Sequence, residues 1–367
     1  MIPGLEQALS RTGEPGLREL VDALYRVAGG SVNATPFAGA ERLKSRIYRL
    51  RFAVTSGTRA VVVKRLDPLA ARRNERVAWR WLPAVNLGAA GPGLLGAAAT
   101  ADGEWVWHVY EDHGNNELRG READHASVEA ATRLIARLHS RFASHPLLAE
   151  CRAHGTLDIS WFAANLRDAL RALQSLRPPG VLLTADQAAL RDRLFALITR
   201  LLEDEPRRAR ALAEWGGPET LLHGDLWTSN LFVTRSADGP HARLTDWDRA
   251  GVGPMSYDLS TFLLRFPAAQ RAWILDVYTR SLENHAWRPP APSRLNLLFE
   301  TAELSRYANR VIWPAQAIAR DGAPWGFEEL AEVERWFGAL EPVLAGERTA
   351  PEALPHRAAG DRSWSDA

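Results

Sequence analysis

A chain of 367 residues with 46% hydrophobic positions can fill one large core or two, which excludes wholesale disorder. Lys plus Arg (45) nearly balance Asp plus Glu (44), so no global field points to nucleic acid or to an acidic membrane, and any anion site must be local. The single cysteine, Cys151, excludes an intrachain disulfide. An N-terminus without a basic start and apolar run, in a chain with no apolar stretch of bilayer length, predicts a cytoplasmic protein.

From Leu5 to Val27 apolar residues recur at mostly helical spacing, broken by Gly13-Glu14-Pro15-Gly16, which predicts a helical preface ending at Gly29-Gly30. Residues 37–45 are rich in small side chains and read equally as an ordinary loop or as one whose backbone N–H groups approach a phosphate. Residues 47–54 alternate with period two, Thr55-Ser56-Gly57-Thr58 is a turn, and residues 60–64 form a second β-branched run. Together they predict an antiparallel hairpin with Lys64 near its end.

Residues 69–82 read as a charged helix stopped by Pro83, and residues 86–96 as a Gly- and Pro-rich connector. A strand over 104–110 runs into Glu111-Asp112-His113-Gly114, an acidic stretch suited to a hinge. The expected organisation is therefore an N-terminal lobe, 1–112, a C-terminal lobe, 113–350, and a flexible tail, 351–367, poor in residues to bury. Within the second lobe, helical periodicity marks 126–140, 159–176, 185–203 and 270–284, interrupted by a short β-rich insert over 221–246. Fourteen tryptophans, scattered from Trp79 to Trp364, read as core material and not as a binding signal.

The insert holds the chemistry. An apolar pair, Leu221-Leu222, leads into a His223-Gly224-Asp225 turn, four residues pass, and Asn230 stands just before the apolar run Leu231-Phe232-Val233. A second bend, Asp246-Trp247-Asp248, follows another apolar lead-in. Asp225 alone would read as a cap or turn residue. An Asp, an Asn and a further Asp on two neighbouring turns are instead the parts of a magnesium-dependent phosphoryl transfer: an orienter for a hydroxyl, and oxygen ligands for a hard cation.

His223-Gly224-Asp225 with Asn230, then Asp246-Trp247-Asp248 and Tyr257-Asp258-Leu259, preceded far upstream by Lys64 and Glu75, resembles the aminoglycoside phosphotransferase and choline kinase-like family. The resemblance runs from about Phe37 to Leu264. It implies an α+β, bilobal protein-kinase-like fold with a small antiparallel-sheet N-lobe and a larger, mainly helical C-lobe. It also implies ATP and Mg2+ as cofactors, and transfer of the γ-phosphoryl group to a hydroxyl of a small molecule: a sugar, amino sugar, aminoglycoside or amino alcohol.

By the same resemblance Asp225 accepts or orients the proton of the acceptor hydroxyl, His223 orients the loop, and Asn230 and Asp246 are the magnesium ligands. Asp248 binds a second ion, supports the first or is solvated. Lys64 pairs with the α- and β-phosphates and is held by Glu75, for which Arg72 and Arg73 compete. Ser45 touches a phosphate, and backbone groups of Glu111, Asp112 and His113 meet the purine. Asp258 is a helix N-cap or a brace for the catalytic loop.

Eleven residues separate Asp246 from Asp258, too few for the segment on which protein kinases dock peptides. Glu300, Glu303, Trp313, Asp321, Trp325, Glu328 and Glu329 line an acceptor pocket for a cationic compound, or are a solvated helix face and core tryptophans. The motifs resemble ketosamine kinases as much as the broader phosphotransferase group. Two further readings stay open: a non-catalytic nucleotide-binding regulator, and a kinase-like enzyme transferring AMP.

Overall fold

The structure is a computed structural model and describes residue Leu5 and residues 13–27, 37–54, 57–285 and 287–345. The expected tail over 351–367 and the Gly29-Gly30 end of the preface lie outside the described residues.

The chain opens with α1 (Leu17–Val27), then β1 (Phe37–Lys44), β2 (Ile47–Val54) and β3 (Gly57–Leu66). Next come α2 (Pro68–Arg76), continued by a π-turn over Val77–Trp81, and β4 (Leu94–Ala99), β5 (Val106–Glu111) and α3 (His125–Phe142). After these stand α4 (Ile159–Gln174), α5 (Ala185–Glu203), α6 (Glu205–Trp215), β6 (Glu219–Leu222), β7 (Leu231–Ser236) and β8 (Gly239–Leu244). The last are β9 (Gly251–Pro254), α7 (Ser256–Leu264), α8 (Ala268–Ser281), α9 (Pro292–Asp321) and α10 (Trp325–Ala339). The four helices expected from periodicity are α3, α4, α5 and α8.

Backbone packing divides the chain into two compact units, Met1–Glu150 with His223–Ala250, and Cys151–Leu222 with Gly251–Ala367. A single cut near 112 is not how the contacts fall. The physical reason lies in residues 116–118, which hydrogen-bond onto β7: Leu118 N–H donates to Leu231 O at 2.7 Å, and Val233 N–H to Asn116 O at 2.8 Å. The following helix, α3, is tied to the same strand by the Arg235–Asp124 ion pair at 2.7 Å. Strands β7 and β8 and the segment after β5 therefore belong to one body.

In that first unit an antiparallel sheet has the order β1-β2-β3-β5-β4. Alternation decides its faces. Tyr48, Leu50 and Phe52 of β2, Val61 and Val63 of β3, and Trp107 and Val109 of β5 are buried together against Leu20, Val21 and Leu24 of α1. Each fully buried apolar side chain of this kind contributes roughly 1.5–3 kcal/mol of transfer free energy.

Three readings are corrected here. The small-residue stretch over 37–44 is strand β1, not a loop, because pairing with β2 supplies the order that Ala-Gly-Ala by itself does not signal. The connector over 86–96 yields β4 from Leu94 onward, paired with β5. The helix over 69–82 also passes Pro83 by one residue, its π-turn having already altered the hydrogen-bond register there.

Asp124 caps α3, accepting from Ser127 N–H and Oγ–H. Those bonds and the Arg235 guanidinium hold its carboxyl at about 2, against an ordinary 3.8. A value lowered on folding means stability present above pH 3.8 and lost as the pH falls toward about 2. Asp124→Ala is expected to destabilise by about 1 kcal/mol at pH 7. In urea unfolding the gap to the parent should narrow through that acid window, and a gap independent of pH would refute the assignment.

The second unit is mainly helical. Its core joins Phe162, Leu166 and Leu173 of α4, Leu194 and Ile198 of α5, Leu304 and Val311 of α9, and Leu330 and Phe337 of α10. Strands β6 and β9 pair in antiparallel register, Leu222 opposite Gly251. Asp258 is not the N-cap of α7: Met255 holds that position, and Asp258 is fully buried in the first turn. Glu303 is buried and accepts from Ser260, Thr261 and Arg306, so it acts inside the helical core and not as a solvated acidic face. Trp313 is two-thirds exposed and lies against Trp325, ring centroids 4.4 Å apart, so these two are not core tryptophans. No helix among the described residues is long and apolar enough to cross a membrane.

Candidate active site

The site is built wholly within the first unit. Antiparallel register places Lys64 opposite Ile47 of β2 on one side and His108 of β5 on the other. Val61 and Val63 turn into the core, so alternation puts Lys64 on the other face of the sheet. There its Nζ donates to Asp246 Oδ1 at 2.7 Å and to Asp248 Oδ2 at 2.8 Å.

Burial alone would push the lysine ammonium down, but the two carboxylates outweigh it and hold Lys64 above its ordinary value. Burial likewise works to raise Asp246, and the charge and hydrogen bond of Lys64 reverse the sign. Asp248 is raised, by burial first and then by the negative charge of Asp246. The arrangement is a shared cation between two acids.

The bend carrying those acids is held in an uncommon backbone state. Asp246 has φ of +61°, a left-handed conformation that a non-glycine residue keeps only where its surroundings determine it. Trp247 anchors the bend: it is buried, its Nε1–H donates to Leu244 O at 3.2 Å, and its ring packs 4.7 Å from that of His223. His223 Nε2 lies 2.7 Å from Thr245 O. A carbonyl only accepts, so Nε2 carries the proton, and Nδ1 receives the long 3.4 Å contact from Asp225 N–H. His223 thus ties the two bends together, Nε2 donating to one and Nδ1 accepting from the other.

The loop itself is fixed through its main chain. Trp227 N–H at 2.8 Å and Asn230 Nδ2 at 2.9 Å both donate to Asp225 O, and Thr245 N–H donates to Asn230 O at 2.9 Å. Asp225 keeps its carboxylate out of these bonds and partly exposed. With Nδ2 of Asn230 committed to a carbonyl, its Oδ1 is the atom left to serve as an oxygen donor.

The family description "Phosphotransferase enzyme family" matches residues 39–298. The chain belongs to this phosphotransferase family. It is an enzyme, by class a phosphotransferase. No curated protein matches the chain in sequence.

Solved structures share the fold, among them the following three. An ethanolamine kinase of Plasmodium vivax has a TM-score of 0.53 at 13% identity, over 83% of this chain and 83% of that one. A spectinomycin phosphotransferase, APH(9)-Ia, solved with ADP and spectinomycin, has a TM-score of 0.52 at 10% identity, over 84% of this chain and 90% of that one. Aminoglycoside phosphotransferase APH(3'')-Id of Streptomyces rimosus, solved with ADP and streptomycin, has a TM-score of 0.50 at 17% identity, over 80% of this chain and 99% of that one. The phosphotransferase thus has the α+β, protein-kinase-like fold, with a small antiparallel sheet and a mostly helical remainder.

The lysine partner expected on α2 is corrected. Glu75 does not meet Lys64; its Oε1 lies 3.2 Å from His108 Nε2, and His108 Nδ1 lies 2.8 Å from the Tyr110 hydroxyl. Neighbouring helical positions point about 100° apart. α2 turns Arg73 and Asn74 to the acidic bend, which already holds the lysine, and Glu75 falls to β5. Arg73 does not capture Glu75 either, donating instead to Asp248 O.

Ser45 sits with Arg46 at the tip of the tight β1–β2 turn, exposed, two residues from the Ile47 that faces Lys64. Arg46 there has φ of +64°. At the end of β5, Glu111 N–H donates to Gly93 O at 2.9 Å, which removes that donor from the set expected to meet a purine. Asp112 is paired with Arg49 Nε at 2.9 Å. His113 packs 5.5 Å from the Phe232 ring and titrates below its ordinary value, chiefly through burial and then the charge of Arg243.

Among the described residues no three His, Cys, Asp or Glu side chains form a cluster that could hold a metal ion by themselves. Magnesium does not need one: it takes one or two carboxylates and completes its octahedron with phosphate oxygens and water. Asn230, Asp246 and Asp248 carry the side-chain oxygens that such a set would use, and two nearby acids sharing one lysine are chemistry that a divalent cation suits. Asp248 is engaged by Lys64 and Asn74, so it is not simply a solvated acid. Asn74 and Trp247 carried little signal in the sequence, a mid-helix Asn being the only hint of a side chain with a specific bond to make.

Proposed function

We propose that this phosphotransferase moves the γ-phosphoryl group of ATP, with Mg2+, to a hydroxyl of a small molecule such as a sugar, amino sugar, aminoglycoside or amino alcohol. The observation that carries the reading is the gathering of Lys64, Asp246 and Asp248 within hydrogen-bond reach, on a bend tied through His223 to the loop of Asp225 and Asn230. The streptomycin and spectinomycin bound by two proteins of the same fold support the acceptor class.

In this reading Lys64 moves its charge from the carboxylates to the α- and β-phosphates. Asn230 and Asp246 would hold the magnesium ion, which would supply positive charge to the phosphate oxygens. Ser45 at the β1–β2 turn faces the phosphates, and the backbone of Asp112 and His113, with the carbonyl of Glu111, meets the purine. Asp225 orients the acceptor hydroxyl and takes its proton as the oxygen bonds to the γ-phosphorus. The bond from that phosphorus to the β–γ bridging oxygen breaks, and ADP leaves.

The test is a screen of hydroxylated metabolites and antibiotics for acceptor-dependent ADP release. A product carrying one phosphoryl group supports the reading, and one carrying a nucleotidyl group would replace it with AMP transfer. Protein that binds no adenine nucleotide in the presence of magnesium would end it.

A further inference from the structure

The acidic bend is gripped from α2 by one side chain that no motif reading singles out. Asn74 is 1% exposed. Its Nδ2 donates to Ala70 O at 2.9 Å and to Asp248 Oδ1 at 2.8 Å, and its Oδ1 accepts from Trp247 N–H at 3.3 Å. Both ends of the amide are therefore used, one on the helix and the bend carboxylate, the other on the bend backbone. Arg73, the residue before it, adds a bond to Asp248 O.

The chemistry of these contacts requires an amide at position 74. Nδ2 faces two acceptors, a carbonyl and a carboxylate, while Oδ1 faces a donor. A carboxylate of the same shape would keep the bond from Trp247 and set oxygen against oxygen at the other two. An alanine would leave the buried Trp247 N–H and one oxygen of the partly buried Asp248 without this partner, and an unmet polar group out of water is costly.

We propose that Asn74 is the positioning residue for the cation site: it sets the Asp246-Trp247-Asp248 bend so that its carboxylates are presented to a divalent ion. The inference rests on the magnesium reading above. It moves the link between α2 and the phosphate end of the site from Glu75, which the structure turns to His108, to its neighbour. Outer contacts of this kind change metal affinity without touching the metal, typically by 10- to 100-fold.

The experiment titrates Mn2+ into the full-length protein with saturating ADP, following loss of the free-ion EPR signal, for the parent, Asn74→Asp and Asn74→Ala. The Mn2+ dissociation constant should rise about 10-fold or more in Asn74→Asp, and by less in Asn74→Ala. ADP affinity in EDTA should stay within about twofold in both. A role in folding alone would lower the melting temperature and weaken metal-free ADP binding with it.

Mn2+ affinity unchanged in both variants overturns the proposal, as does a metal-free loss equal to the metal-dependent one. Should the Asp variant not fold, the Ala variant decides by the same criteria. A parent that binds no Mn2+ with ADP points instead to failure of the magnesium reading itself.

Discussion

Asp225→Asn is expected to lower kcat by about 10²- to 10⁴-fold, the range of a positioned general base. Nucleotide affinity should stay within about threefold. The reason for so clean a separation is that the loop is anchored by the main chain of Asp225, whose carbonyl receives Trp227 N–H and Asn230 Nδ2. Changing the carboxylate to an amide of the same shape leaves those bonds in place. Single-turnover rates with the acceptor found by the screen, and equilibrium ADP binding, measure the two arms. A variant that turns over at the parent rate would remove Asp225 from the chemistry.

Gly224→Ala should be the more damaging change to the fold of the loop. Gly224 has φ of +82°, a region that costs an L-residue roughly 1–2 kcal/mol. An added Cβ would in addition lie well inside contact with the Arg249 carbonyl oxygen and 2.7 Å from its carbonyl carbon. Backbone atoms cannot swing away as a flexible side chain would, so the loop or the segment after the bend must shift. We expect a loss of about 3 kcal/mol or more, and a melting temperature lower by roughly 4 °C or more, with turnover lost together with stability. Thermal unfolding within about 2 °C of the parent would show that the loop relieves the clash elsewhere.

These two residues lie side by side and fail in different ways, which marks how much of the site could be read in advance. Asp225, Asn230 and Asp246 stand in a spacing and residue pattern that carries a chemical reading by itself. The hairpin bearing Lys64 was equally plain, because a β-branched run with period two has few other homes. The helices α3, α4, α5 and α8 followed from apolar spacing.

Other features had no local signature. Residues 37–44 become β1 only because β2 is there to pair with, and β4 emerges from a Gly- and Pro-rich stretch because β5 offers an edge. Glu75 was the natural partner for Lys64 by sequence order, yet helix rotation gives the bend to Asn74 and leaves Glu75 to His108. A one-residue difference on a helix is a turn of about 100°, and no spacing rule reveals which residue faces a bend more than 170 positions away.

The division of the chain was also a tertiary matter. The turn after β5 looked like a hinge because it is acidic and contains glycine, but backbone bonds from Asn116 and Leu118 onto β7 join it to the insert. The amino-acid sequence by itself determined the inventory: a strand lysine, a His-Gly-Asp turn, an asparagine and two further acids, in the order of a phosphotransferase. Only the tertiary structure decided their pairing, because a shared cation, a left-handed aspartate and a buried amide clamp depend on side chains brought together from β3, α2 and the two bends. Those contacts are set by sheet register and helix phase, which the chain order alone does not carry.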